Sequence, residues 1–240
     1  MKNDWAEYYK NYKGEACFIL YDLNNDKYYI YNEERINKGF HPASTFKIFN
    51  SLAALEAGVI KDENEIIKWD GVKRWADSWN QDQDMRSAFK YSAVWFYQEL
   101  ARRIGEEKMQ QFIDKTGYGN KNIQDKIDYF WLSGELRITP MEQIEFLKRL
   151  YKNDLPFSQR SIDIVKDIMI YEKTDEYTLR AKTGWSQSDK DNGWWVGYVE
   201  TTDNVFFFVN NMDIVNDGDE KGRIEVSKKI LSDLMIFHNP

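Results

Sequence analysis

Cysteine is nearly absent from this chain. Cys17 is the single one in 240 residues, so no intrachain disulfide can form and the redox compartment stays open. It sits in the apolar run Ala16–Leu20, which suits a buried thiol better than a reactive one. Histidine is scarce too: His41 and His238 stand alone, with no metal-ligand spacing, so no dedicated metal site is expected. Four prolines and 13 glycines exclude a fibrous or disordered chain. No run of 18 apolar residues exists to span a membrane. The start, Met1-Lys-Asn-Asp-Trp5, lacks a hydrophobic export core. An excess of positive charge is also missing. The net charge of −7 disfavours nucleic acid as a partner.

What the chain has is aromatic and apolar substance: 15 Tyr, 14 Phe and 9 Trp within a 42% apolar fraction. That is enough for one substantial catalytic domain, residues 1–240. The runs Ala16–Tyr21 and Lys27–Tyr31, joined by Asp22-Leu-Asn-Asn-Asp26, predict a β-hairpin. Ser44–Ala57 reads as a helix entered after Pro42 and stopped at Gly58. Helical periodicity then dominates from about 61 to 166, with Asp84–Ile104 as its clearest helix, followed by Glu106–Lys115 and Thr139–Tyr151. Strands return at Tyr177–Lys182, Gly193–Glu200 and Val205–Asn211, and Glu220–Phe237 reads as a closing helix. The fold class that follows is α+β. An antiparallel sheet is assembled from both chain ends (about 1–60 and 167–240), flanked by helices, with an all-helical lobe inserted at about 61–166.

Two short patterns carry chemistry, and each occurs twice. Ser-x-x-Lys, a known nucleophile motif, appears as Ser44-Thr-Phe-Lys47 and Ser87-Ala-Phe-Lys90. About one match is expected by accident. Ser44 opens a helix, where free backbone N–H groups can face a developing oxyanion, and its neighbours are apolar. Ser87 lies among Asp82, Asp84, Arg86 and Lys90, which reads as a solvated face. Lys-Thr-Gly appears as Lys115–Gly117 and Lys182–Gly184, where about a tenth of a match is expected. Gly117 suffices as a helix C-cap. Lys182 instead lies on a strand leading into Gly193-Trp-Trp-Val-Gly-Tyr198, where Gly184 would allow close backbone approach.

The ordered set Ser44-Thr-Phe-Lys47, Ser92-Ala-Val94, Tyr118-Gly-Asn120, Trp131-Leu132 and Lys182-Thr-Gly184 resembles the class D (oxacillinase-type) serine β-lactamases. So do the stretches around Asn122–Leu132 and Trp194–Val199. The likeness runs from about Cys17 to the C-terminus. It implies Ser44 as nucleophile and Lys47, as N6-carboxylysine formed from CO2 or bicarbonate, as general base. It implies Trp131 as hydrogen-bond donor to that carbamate, and the backbone N–H groups of Ser44 and Trp185 as oxyanion hole. Ser92, helped by Lys182, would pass a proton to the lactam nitrogen. Thr183 and Arg223, the latter just before the last helix, would hold the substrate carboxylate. Val94 suits a dry pocket, Trp185 a pocket wall, and Tyr118 and Asn120 a shaping role. The partners implied are β-lactam small molecules, with no organic cofactor or metal, and the sequence sets no oligomeric state. An enzyme that destroys cell-wall antibiotics is expected outside the cytoplasm, its export segment absent from this chain.

Three other readings compete. A β-lactam sensor domain shares the fold but is acylated without turnover, and tends to carry a polar residue where Val94 stands. A penicillin-binding peptidase usually has Ser-x-Asn in place of Ser-x-Val. A calcium-binding module fails at Lys27, where the loop from Asp22 needs glycine, and at Val215 and Ile224 in the loop from Asp213. No phosphate loop exists, and Gly117-Tyr-Gly119 is followed by Asn122 where a dinucleotide fingerprint needs glycine.

Overall fold

The structure is a computed structural model that describes residues 5–187 and 191–237. His238 and Met1–Asp4 lie outside the described residues. A short helix α1 (Ala6–Tyr9) leads into β1 (Ala16–Asp22) and β2 (Lys27–Tyr31), which pair antiparallel as the hairpin pattern predicted. At its tip, the Asp22 carboxylate accepts from the Asn25 backbone N–H at 3.2 Å. A 3-10 turn (Ala43–Thr45) precedes α2 (Phe46–Glu56), which ends ahead of Gly58 at φ +68°. Helices α3 (Met85–Lys90), α4 (Val94–Ile104), α5 (Glu106–Thr116), α6 (Pro140–Tyr151) and α7 (Gln159–Ile168) follow. The chain returns through β3 (Ile170–Lys173), β4 (Tyr177–Ser186), β5 (Asn192–Thr201) and β6 (Val205–Asp213), then closes with α8 (Asp219–Asp233).

The six strands form one antiparallel sheet in the order β2-β1-β6-β5-β4-β3. The N-terminal hairpin therefore adds to the C-terminal strands, as the distribution of strand patterns implied. One face buries Cys17, Ile19, Trp194, Val196 and Val209 with α2 and the helices after it. The other buries Phe18, Leu20, Trp195 and Phe208 with α1 and α8. Alternate residues of each strand thus serve opposite cores, as the two-residue period of a strand requires.

The structure departs from expectation at four places. Asp84–Ile104 is not one helix: it breaks at Tyr91-Ser92-Ala93, where Ser92 sits at φ +57°. No glycine or proline marks the break, and the apolar spacing runs through it unchanged. Ser87 is half-buried and engaged as a cap, while Asp82, Arg86 and Lys90 around it are exposed. Asp84 caps α3 by accepting from the Ser87 N–H at 2.7 Å, and the Ser87 hydroxyl reaches back to the Asp84 N–H, a reciprocal capping box. The closing helix starts at Asp219, which puts Arg223 inside it, and stops at Asp233, before Met235 at φ +57°. Strand β3 is four residues long with Glu172 and Lys173 in it, too short and polar to show an alternation.

Candidate active site

The Ser44 turn is held in an unfavourable backbone shape. Ala43 takes φ +48°, a conformation costing about 1–2 kcal/mol for a non-glycine residue. Ties from several parts of the chain fix it there. The Ala43 N–H donates to the Trp131 carbonyl at 3.0 Å. The Thr45 hydroxyl donates to the Pro42 carbonyl at 2.7 Å and accepts from Gln143 of α6 at 2.8 Å. The Trp194 indole of β5 donates to the His41 carbonyl at 2.9 Å. His41 is thus a buried strut, its Nε2 2.8 Å from the Gly134 carbonyl. Strand β4 packs against the same turn through Gly184. A Cβ on Gly184 would meet the Pro42 carbonyl, the Thr45 methyl and the Trp194 ring, each at 3.1 Å, so glycine lets the strand approach without pressing on three neighbours.

From that turn Ser44 faces a cleft while Lys47, one helical turn on, is fully buried. Their Nζ and Oγ are 2.7 Å apart. Burial holds the Lys47 amine well below the usual lysine range, and the positive charge of Lys182 adds to the effect. The dry wall is aromatic: Phe46 stacks on Trp131 at 5.3 Å and packs edge-on against Tyr118 and Phe130. Trp131 is buried, and its indole N–H has no partner. A buried donor without an acceptor is costly, and marks a place where an anion or carbonyl would be welcome.

The break between α3 and α4 places Ser92 against β4. The Lys182 amine donates to the Ser92 hydroxyl at 3.1 Å and to the Thr183 carbonyl at 3.1 Å, and lies 5.5 Å from the Phe89 ring. Burial first, and Arg223 second, lower Lys182 to about 7. Strand β3 and Met169 before it bond to β4 only as far as Ala181, so from Lys182 on that edge of β4 is unpaired by β3. Arg223 of α8 donates to the Gly184 carbonyl at 2.8 Å, while its buried Nε lacks a partner. Burial lowers its guanidinium to about 10, so it stays charged near neutrality and is no solvated surface arginine.

The cleft, about 960 Å³, is lined by Ser44, Ser92, Val94, Leu132, Thr183–Gln187 and Arg223. Lys47, Trp131 and Lys182 lie behind that lining. No carboxylate is among the described lining residues, so the Arg223 guanidinium faces the cleft without an acidic partner in that lining. Tyr118 is buried against Phe46, Phe49 and Phe146, and Asn120 bonds the Glu135 carbonyl and Arg137 N–H; both brace the loop that carries Trp131. Of the duplicate motifs, Lys115 is exposed at a helix end where the Gly117 N–H donates to the Ile113 carbonyl at 2.8 Å.

Sequence reasoning missed part of the site. Trp75, Trp79, Tyr91 and Tyr129 form an aromatic rim, with Trp75 84% exposed. Its signal was present as two tryptophans in the polar loop Arg74-Trp-Ala-Asp-Ser-Trp79. Thr45 and Gln143, which tie the Ser44 turn, gave none, because their meeting spans 98 residues. Tyr97 could have been found: three residues after Val94, it shares that helix face.

Comparison with known proteins agrees with this geometry. The model of the penicillin-binding-protein transpeptidase domain matches residues 16–236. Beta-lactamase OXA-48 of Klebsiella pneumoniae is 44% identical over 228 residues, 95% of this chain and 86% of that protein. The regulatory protein BlaR1 of Bacillus licheniformis is 40% identical over 207 residues, 85% of this chain but 34% of that protein. Among solved structures, the class D beta-lactamase YbXI from Nostoc superposes with a TM-score of 0.94 at 50% identity, covering 97% of this chain and 98% of that one. The chain belongs to the penicillin-binding-protein transpeptidase family and, within it, to the class D serine β-lactamases, which are hydrolases.

Proposed function

We propose that this enzyme opens β-lactams by acyl transfer to Ser44, with Lys47 in its N6-carboxylated form as general base for both halves of the reaction. The observation that carries this reading is the 2.7 Å contact between Ser44 Oγ and an amine that burial keeps from holding its proton. An uncharged amine can add CO2, whereas an ammonium cannot. The unpartnered Trp131 indole N–H fits a carbamate oxygen, and the absence of carboxylates from the described lining leaves room for the added charge.

In acylation the base takes the Ser44 proton, Oγ bonds to the lactam carbonyl carbon, and the backbone N–H groups of Ser44 and Trp185 receive the oxyanion. The C–N bond then breaks. Ser92 passes a proton to the nitrogen and is resupplied by Lys182, whose value of about 7 suits it to both giving and taking. In deacylation the same base activates water. Thr183 and Arg223 anchor the substrate carboxylate, Gly184 lets the substrate approach the strand, and Val94, Leu132 and Trp185 shield the reacting atoms. Residues 1–240 act as one catalytic domain, working outside the cytoplasm where β-lactams meet the cell wall. No helix among the described residues is long and apolar enough to cross a membrane.

The likeness to a regulatory protein supports a second reading, a sensor that is acylated and stays so. Turnover of a chromogenic cephalosporin with and without bicarbonate separates them. Repeated turnover that rises with bicarbonate is expected. A single stoichiometric burst would hand the chain to the sensor reading, and turnover indifferent to bicarbonate would remove the carbamate.

A further inference from the structure

Beneath Lys47 lies a hydroxyl pair with no part in the scheme above. Ser51, one helical turn after Lys47 on α2, donates its hydroxyl to the Lys47 carbonyl at 2.8 Å. The same oxygen lies 3.0 Å from the Tyr97 hydroxyl of α4. Asn50 donates to the Tyr97 carbonyl at 3.1 Å. Tyr97 is thus tied at both ends, and all three residues are fully buried. The result of that fixation is orientation: the Lys47 Nζ lies over the Tyr97 ring, 5.3 Å from its centre.

We propose that Tyr97, held by Ser51, is a positioning residue for Lys47 whose ring face favours the ammonium form and so sets how readily Lys47 becomes the carbamate. The inference rests on the carbamate reading. An aromatic face carries negative quadrupole density, which attracts an ammonium and repels an anion above it. Carbamate formation consumes the neutral amine: Nζ bonds to the CO2 carbon, one proton leaves for water, and nothing is oxidised or reduced. Every increment of ammonium stability is an increment of CO2 needed. The other groups acting on Lys47 are Ser44 on the turn before its helix and the Lys182 charge from β4, which works in the opposite sense to the ring. The Tyr97 hydroxyl is itself pushed far up by burial and stays neutral, so it adds no charge of its own.

The test compares Tyr97→Leu, Tyr97→Phe and Ser51→Ala with the parent. Two readouts serve: the acid limb of the pH profile of acylation, and carbamate occupancy titrated with carbon-13-labelled bicarbonate and read by NMR. Removing the ring removes the ammonium's partner. For Tyr97→Leu the acid limb is expected to move down by roughly half to one pH unit, with several-fold less bicarbonate needed for half occupancy. Tyr97→Phe and Ser51→Ala unpin the ring without deleting it, so each should shift the limb in the same direction by less. Their double variant should match either single one, because both break the same tie. A Tyr97→Leu limb that stays put, with only the unfolding temperature lowered, would reduce Tyr97 to packing and overturn the proposal. An upward shift would overturn it too, by showing that the ring acts through excluding water. Absence of a carbamate signal in the parent would instead remove the carbamate reading on which it stands.

Discussion

Ser44-Thr-Phe-Lys47 and Ser87-Ala-Phe-Lys90 have the same residue types at three of four positions, and their surroundings divide them completely. In the first, the serine faces a cleft from a strained turn and the lysine is buried against it at 2.7 Å. In the second, the serine is spent on a capping box with Asp84 and the lysine is exposed. Spacing brings a lysine within reach of a serine. Chemistry needs the lysine also to be denied water, which depends on Trp131 and Tyr118 arriving from distant parts of the chain to pack on Phe46. The two Lys-Thr-Gly copies repeat the lesson: Lys182 is buried beside Ser92, whereas Lys115 caps nothing but solvent.

The largest effect expected of this contrast is on the serines. Ser44→Ala should lower turnover by at least ~10⁴-fold and abolish the acyl-enzyme mass increment, while Ser87→Ala keeps turnover. An acyl adduct on Ser44→Ala would place the nucleophile elsewhere.

Next come the lysines of the second motif. Folding lowers Lys182 from 10.5 to about 7, so the unfolded chain binds more protons between those values. Stability should therefore rise as pH climbs from about 7 towards 10, and the penalty of the buried charge should be fully present below 7. Lys182→Met should unfold at higher denaturant concentration than the parent at pH 6, flatten that slope, and lose activity. Lys115→Met, at an exposed helix end, should keep turnover. Denaturant titrations across this pH range decide it, and an unaltered slope in Lys182→Met would refute the assignment.

The smallest effect concerns the cap. Asp84→Ala should cost about 0.5–2 kcal/mol of stability, with kcat/KM changed far less than by Ser44→Ala. Calorimetry and steady-state rates on one preparation would show whether the second motif is structural alone.

Much of this was legible beforehand. The hairpin, the helix after Pro42, the helix opening at Thr139, and β4 to β6 follow from local periodicity and turn chemistry, which the structure keeps. Gly58 and Gly105 stop their helices as glycine should. The break at Ser92 escaped because its left-handed backbone is supported by tertiary contact with Lys182 rather than by a glycine. The last helix starts at Asp219, whose carboxylate accepts from the Val215 and Asn216 N–H groups, a local bond that hydrophobic spacing does not register. At the site, chemistry-bearing residue types were visible, while the residues that hold them, Thr45, Gln143, Ser51 and Tyr97, have partners far away in sequence or on another helix.

The turn at Ala43 carries a consequence for the order of events in folding. Three of its ties come from Trp131, Gly134 and Gln143, and a fourth from Trp194, all emerging from the ribosome long after Ser44. Until the loop before α6 and strand β5 have docked, nothing compels Ala43 to keep its costly shape, and Lys47 is still wet. A half-made chain therefore carries an ordinary serine and an ordinary lysine. Reactivity arrives with the last strands, as a property of the finished molecule, and an unfinished one cannot be trapped by the compounds it will later destroy.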